Sequence, residues 1–189
     1  MNDSLRTKRG EDLVLPHLPS IYRLARHLAD DETDADDLVQ ETCLRALRAV
    51  DQFELRACGP KPWLLKILHN VFYTRCAAER RRPAPLDDAT LDGTPPMRIS
   101  LTEQACSGRQ VNWDLFDERV KAAVAALAPE FREVLLLWAL EDLSYKEIAA
   151  ACGCPLGTVM SRLHRARQVL MPVLREVAVE RNMQVCRAA

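Results

Sequence analysis

Glycine and aromatic residues are scarce in this sequence. Aromatic residues make up 5% of its 189 residues, and only six residues are glycine. β-Sandwiches and β-barrels need many short strands rich in aromatic and β-branched residues, joined by turns that often require glycine. The chain is rich instead in alanine and leucine, which favour helix. We therefore expect an all-α protein.

Long hydrophobic runs are also missing. The longest, 122–128 and 134–140, contain about seven residues each, whereas a membrane-spanning helix needs about 20. Near the N-terminus a short apolar stretch is interrupted by Pro16, so the hydrophobic segment of a secretory signal is absent. The sequence predicts a cytoplasmic protein with no membrane insertion.

Motifs for catalysis or metal binding are not found either. The sequence has no P-loop, no nucleophile elbow and no metal-spaced set of histidines and cysteines. Its seven cysteines include no CxxC pair, and the close pair Cys152 and Cys154 has no second pair of ligands near it in the sequence. We expect reduced thiols, no cofactor, no metal site and no enzyme activity.

The net charge of −1 conceals strong local imbalances. This near-neutral total excludes a uniformly basic nucleic-acid coat. Residues 30–41 nevertheless contain seven acids and no base, and residues 83–118 contain seven acids and two arginines. Residues 158–175 contain four arginines and no acid. Different segments are therefore expected to contact different partners.

Prolines and glycines interrupt the apolar periodicity between Pro83 and Asn112. This pattern predicts two small helical domains joined by a flexible linker, which is either a solvated tether or an acidic contact surface. The predicted boundaries are an N-terminal tail over 1–12, a first domain over 13–82, a linker over 83–113, a second domain over 114–175 and a C-terminal tail over 176–189.

In the first domain, apolar residues spaced three and four apart predict a helix over 34–50. Its other face carries a stripe of polar residues interrupted by one leucine: Asp37, Gln40, Glu41, Leu44 and Arg48. A solvated helix face would explain the charges. That explanation is the simpler one, and the leucine within the stripe is the one sign that a partner covers this face.

A second helix is predicted over 63–82, with a face that combines basic, amide and aromatic side chains. Cations bind phosphate, an aromatic ring stacks on an unpaired base, and an amide bonds a base edge. A solvated, charged helix end is the alternative. The residues of this face and those beside it are Lys66, Asn70, Tyr73, Thr74, Arg75, Arg80, Arg81 and Arg82.

The second domain contains the pattern of a helix-turn-helix. Ser144 and Glu147 form a predicted capping box, Gly153 supplies a tight turn, and Pro155 suits the start of the next helix. The apolar face of that helix is expected to contain Leu156, Val159, Leu163, Ala166 and Leu170. The opposite, polar face fits the major groove of DNA, and it carries Thr158, Ser161, Arg162, Arg165 and Gln168.

These segments together resemble the extracytoplasmic-function (ECF) sigma factors of bacterial RNA polymerase. The similarity rests on four stretches in the correct order: DDLVQETCLRALR at 36–48, WLLKILHN at 63–70, LSYKEIA at 143–149 and GCPLGTVMSRLHRAR at 153–167. The resemblance implies sigma region 2, a linker and sigma region 4. It also implies a protein that binds core polymerase, recognises the −10 and −35 promoter elements, and helps to melt the promoter.

The resemblance further implies a role for each motif. Asp37, Gln40, Glu41, Leu44 and Arg48 would dock on the polymerase clamp helices, and the segment 127–140 would meet the polymerase flap. The −10 element would be bound by Lys66, Asn70, Tyr73, Arg75, Arg80 and Arg81, with a flipped base held by the loop 53–61. The −35 element would be bound by Thr158, Ser161, Arg162, Arg165 and Arg167. An anti-sigma factor is a further expected partner.

Three residues depart from the family pattern. Met160 stands where many relatives have a basic residue, and His69 and Thr74 replace an expected arginine and an expected acid. Two other functions remain open from the residues alone. A sigma-like decoy would bind an anti-sigma factor without binding DNA, and a stand-alone helix-turn-helix regulator would use only the second domain.

Overall fold

The computed structural model describes residues 2–53, 59–80 and 113–188. Within these ranges the chain forms α-helices and short 3-10 turns and contains no strand, which confirms the all-α prediction. The predicted linker lies outside the described residues except at Trp113. The helices are α1 Asn2–Val14, α2 Leu18–Leu28, α3 Glu32–Arg48, α4 Lys61–Arg80, α5 Glu118–Ala125, α6 Pro129–Ala139, α7 Tyr145–Cys152 and α8 Leu156–Ala188.

Helices α1–α4 form a unit that we call the N-terminal bundle. Apolar side chains recurring three and four residues apart face its interior, as expected for amphipathic helices. Burial of each large aliphatic side chain contributes about 1.5–3 kcal/mol, so this core is the main source of stability. Its most buried large side chains are Ile21, Leu24, Leu28, Leu38, Leu64, Leu65 and Leu68.

Helix α3 begins and ends two residues earlier than its periodicity predicts. Asp31 is its N-cap, and the carboxylate accepts a hydrogen bond of 2.8 Å from the backbone N–H of Asp34. Aspartate satisfies a free N–H group and suits the positive end of the helix dipole. At the other end, a 3-10 turn over Val50–Gln52 replaces the last predicted helical turn.

Helices α5–α8 form the C-terminal bundle, which contains the predicted helix-turn-helix. Ser144 and Glu147 make both hydrogen bonds of a capping box at the start of α7. Gly153 ends α7 with a φ of 62°, a left-handed conformation that glycine adopts without steric cost. Leu156 is 39% exposed because it occupies the first position of α8, whereas the other predicted core residues of that helix are buried.

The terminal segments 2–12 and 176–188 are helical. Helix α1 packs against α3, and its residue Val14 is buried in the core. The long helix α8 is fastened near its end by Arg119 of α5, whose guanidinium donates two hydrogen bonds to Glu180, of 3.0 and 2.6 Å. Contacts with neighbouring helices therefore extend both segments beyond their own apolar pattern.

The two bundles pack directly against each other. Helix α4 lies against α7, and α2 lies against α6. The buried apolar residues of both bundles form one continuous cluster. This closed arrangement places residues of the two predicted domains in contact.

Candidate promoter and polymerase interfaces

The predicted polymerase-binding residues share one face of α3. Asp37, Gln40 and Arg48 are exposed, and Leu44 is 49% exposed. Glu41 is half-buried and accepts a hydrogen bond of 2.6 Å from Arg45 Nε one turn away. An apolar side chain is thus displayed in the middle of a polar, mostly acidic surface.

The predicted −10 residues on α4 fall into two groups. Lys66 and Asn70 are exposed, whereas Tyr73 and Arg75 are half-buried. The Tyr73 ring packs 4.5 Å from the His69 ring and edge-on against Phe72. The side chain of Arg80, the residue Arg81 and most of the predicted base-binding loop, 54–58, lie outside the described residues.

The predicted −35 residues occupy the first four turns of α8. Ser161 and Arg165 are exposed, and Thr158 and Arg162 are half-buried on the same side. Arg167 lies apart from them: its guanidinium sits over the Trp138 ring, 4.5 Å from the centroid, and donates a hydrogen bond of 3.4 Å to the Tyr145 hydroxyl. It therefore helps to hold α8 against α6 and α7.

One buried carboxylate of the C-terminal bundle forms ion pairs with two basic side chains of the N-terminal bundle. The side chain of Glu141 is 1% exposed, and its Oε1 lies 2.8 Å from Arg23 Nε. Lys61 Nζ lies 2.9 Å from Glu141 Oε2 and donates a hydrogen bond of 2.7 Å to the Glu141 carbonyl. Opposite charges thus compensate the burial of this acid only while the bundles are in contact.

A second acid, Glu133 of α6, is completely buried against α4. Its Oε1 lies 2.8 Å from Nδ1 of His69. Burial and the negative charge of Glu133 raise the pKa of Tyr73 above its ordinary value, so the phenol stays neutral. His69, one of the departures from the family pattern, thus has a partner across the interface.

Glu133 and Glu141 were missed by the sequence analysis although a signal exists. They flank the apolar run 134–140. Seven consecutive apolar residues cover about two turns, so this part of the helix is apolar all round and is expected to be mostly buried. Acids at the two ends of such a run are therefore candidates for buried charges.

The interface also brings predicted −10 and −35 residues together. The positive charge of Arg162 on α8 is close enough to oppose the upward shift in the pKa of Tyr73 on α4.

Near the end of the linker, the Trp113 ring packs edge-on against His27 of α2 at 4.5 Å. Burial, followed by the charge of Arg26, lowers the pKa of His27.

None of the helices in the described ranges has the length and hydrophobicity that a membrane crossing requires.

Comparison with known proteins identifies the family of this chain. Residues 13–82 match the family model for sigma-70 region 2, and residues 117–170 match the model for sigma-70 region 4. The chain therefore contains both domains of a sigma-70-type protein.

Two similar proteins indicate which subfamily of sigma factors the chain resembles. The chain is 36% identical over 174 residues to the ECF RNA polymerase sigma factor EcfG of Rhodopseudomonas palustris, covering 92% of this chain and 87% of that protein. It is 37% identical over 151 residues to the ECF RNA polymerase sigma factor SigC of Mycobacterium tuberculosis, covering 80% of this chain and 75% of that protein.

A solved structure agrees with these relatives. The sigma factor RpoE of Bartonella quintana, in complex with the anti-sigma factor NepR, matches with a TM-score of 0.62 and 27% identity over 87% of this chain and 96% of that chain. The chain belongs to the ECF sigma factors. It is a sigma factor that directs promoter-specific transcription, as the sequence predicts, and its family consists of transcription regulators rather than enzymes.

Proposed function

We propose that this sigma factor binds core polymerase and promoter DNA through three separate helix faces. The α3 stripe binds the clamp helices, the exposed face of α4 holds the −10 element, and the first turns of α8 enter the major groove at the −35 element. The exposure of Leu44, Asn70 and Arg165 on these faces supports the proposal. The protein then acts in the cytoplasm, where polymerase meets the chromosome.

Promoter binding requires the two bundles to separate. The −10 and −35 elements lie roughly 25 base pairs apart by their names, which is about 85 Å of B-DNA at 3.4 Å per base pair. In the closed arrangement α4, which carries the −10 residues, packs against α7 of the helix-turn-helix. One closed protein therefore cannot place the −10 and −35 residues on both elements at once.

The linker is long enough to permit this separation. About 30 residues lie between Arg80 and Trp113, and a chain of that length spans at most about 110 Å when fully extended. Opening would also uncover the side of α6 that packs against α2, within the segment 127–140. That segment would then be available for the polymerase flap.

The polar interior of the interface supports reversible contact. Glu133 and Glu141 are buried where residues of the opposite bundle lie against them. On separation both carboxylates regain water, as do Arg23 and Lys61, so the cost of opening is lower than for an apolar interface of the same size. By analogy with the Bartonella complex, we infer that an anti-sigma factor binds this chain when transcription is off.

Leu44→Asp tests the polymerase surface. A leucine buried on binding contributes about 1.5–3 kcal/mol, so the variant should bind core polymerase about 10- to 100-fold more weakly. Binding of labelled sigma to core enzyme, followed by promoter-specific transcription from a genomic template pool, measures both steps. Leu15→Asp is the matched control, since Leu15 is 58% exposed in the same bundle and outside the α3 stripe.

Two results would contradict the proposal. Equal loss of binding in both variants would show that the α3 stripe has no special role. Absence of any promoter-specific transcript with wild-type protein, together with retained binding to an anti-sigma factor, would favour the decoy.

A further inference from the structure

Three side chains that can bind metal ions meet where the two bundles touch. His69 lies on α4 of the N-terminal bundle, Glu133 on α6 and Cys152 at the end of α7. Their candidate ligand atoms all lie within 4.8 Å of one another. The sequence predicts no metal site because these residues are far apart along the chain, and only the packing of the bundles collects them.

The cluster is buried and contains an acid. Glu133 is 0% exposed, Cys152 is 7% exposed, and the His69 side chain is 17% exposed. His69 Nδ1 lies 2.8 Å from Glu133 Oε1, and the Tyr73 hydroxyl lies close enough to donate a hydrogen bond to the Glu133 carboxylate. A carboxylate buried away from water is unfavourable, and a cation would compensate its charge.

The nitrogen, oxygen and sulfur atoms of these three side chains favour one class of metal ion. Imidazole nitrogen, carboxylate oxygen and thiolate sulfur are all ligands of zinc, whereas magnesium and calcium prefer oxygen. Zinc bonds of about 2.0–2.3 Å separate tetrahedral ligand atoms by roughly 3.3–3.7 Å. The separation of 2.8 Å between His69 Nδ1 and Glu133 Oε1 lies just below that range, and the outer limit of 4.8 Å for the cluster lies above it.

A simple ion pair is the alternative. Protonated His69 and Glu133 would neutralise each other through the contact at 2.8 Å. That pairing, together with a hydrogen bond from the Tyr73 hydroxyl, gives no role to Cys152. The thiol of Cys152 lies close enough to Glu133 for the carboxylate charge to raise its pKa, after the larger effect of burial. A metal ion would use all three residues.

We propose that His69, Glu133 and Cys152 form a site for a divalent ion of the zinc class, which holds the two bundles in the closed arrangement. One ligand comes from the N-terminal bundle and two from the C-terminal bundle, so the ion cannot keep all three after separation. If the protein must open to bind promoters, as proposed above, the ion favours its inactive form.

Cobalt(II) is a suitable probe because it replaces zinc and gives visible spectra. Metal-free, full-length protein should bind one equivalent of cobalt, with a thiolate-to-cobalt charge-transfer band that zinc removes by competition. Cys152→Ser should abolish this band, and His69→Gln should weaken binding at least tenfold. Cys43→Ser is the matched control, since Cys43 is a half-buried thiol on α3 outside the cluster. Circular dichroism checks that each variant is folded.

Hydrogen exchange in the same full-length protein tests whether the ion holds the two bundles together. Zinc should slow amide exchange in α4 as well as in α6 and α7, and His69→Gln should remove the effect on α4. Absence of binding, a band unchanged in Cys152→Ser, or slower exchange in the C-terminal bundle alone would overturn the proposal. These measurements use neither polymerase nor DNA, so their failure is distinct from a failure of promoter-directed transcription.

Discussion

Substituting Glu141 should loosen the contact between the two bundles. Its carboxylate is 1% exposed and lies 2.8 Å from Arg23 and 2.9 Å from Lys61, both of the opposite bundle. Glu141→Gln keeps the shape of the side chain but removes its charge. Both cations then lose their counter-ion, and the free energy of the closed form rises relative to the open form.

The expected magnitude follows from burial. Removing one member of a fully buried ion pair costs about 3–5 kcal/mol, because the other charge remains without compensation. Arg23 and Lys61 are 32% and 27% exposed, so water screens them in part and the cost is smaller. We expect about 1–3 kcal/mol, which changes the ratio of closed to open protein roughly 5- to 150-fold.

Hydrogen exchange across α2, α4 and α6 measures this change, together with a double-mutant cycle between Glu141→Gln and Lys61→Met. The cycle should give a coupling of at least about 1 kcal/mol, because the two residues interact directly. Glu118→Gln is the control: its bond to Lys121 is exposed at the surface and should contribute about 0.5 kcal/mol or less. Additive effects in the cycle, or equal effects of the two glutamine variants, would refute the reasoning.

Three further outcomes are expected. Ser144→Ala should lower the free energy of unfolding in urea by about 1 kcal/mol, and Ser144→Gly by less, because the N-cap of α7 is lost. Arg165→Ala should cost about 1–3 kcal/mol at a matched −35 element but not at a scrambled one, whereas Arg167→Ala should mainly reduce stability. Since the pKa of His27 is lowered in the folded state, the unfolded chain binds more protons, and stability should fall as the pH drops below about 6.5. His27→Asn should make this fall shallower in unfolding curves at several pH values.

Local rules are sufficient to predict the helix-turn-helix. Ser144 and Gly153 stand at the two ends of α7. A free backbone N–H group at a helix start favours serine, and a left-handed backbone at a helix end favours glycine. The same rules explain why Arg167 lies apart from the other −35 candidates. At about 100° per residue, it is rotated by about 200° from Arg165, toward the packed side of α8.

The contact between the bundles depends on pairs that no local rule connects. His69 and Glu133 are 64 residues apart, and Arg23 and Glu141 are 118 residues apart. From sequence alone, a charged residue is predicted to be solvent-exposed, because a charge is buried only when a partner compensates it and the sequence does not identify that partner. The sequence therefore predicts the two domains but not their closed arrangement.

The position of the two acids still carries information about function. A permanent core gains most from apolar packing, and buried ion pairs add little to stability once their desolvation is counted. Acids at both ends of the apolar run 134–140 are therefore a poor choice for a contact that never opens. They suit one that does, because separation would remove the opposite bundle from Glu133 and Glu141 and let water reach them. Charged residues that flank a helix apolar on all sides thus indicate a domain contact made to be broken, as a protein reaching two distant promoter elements requires.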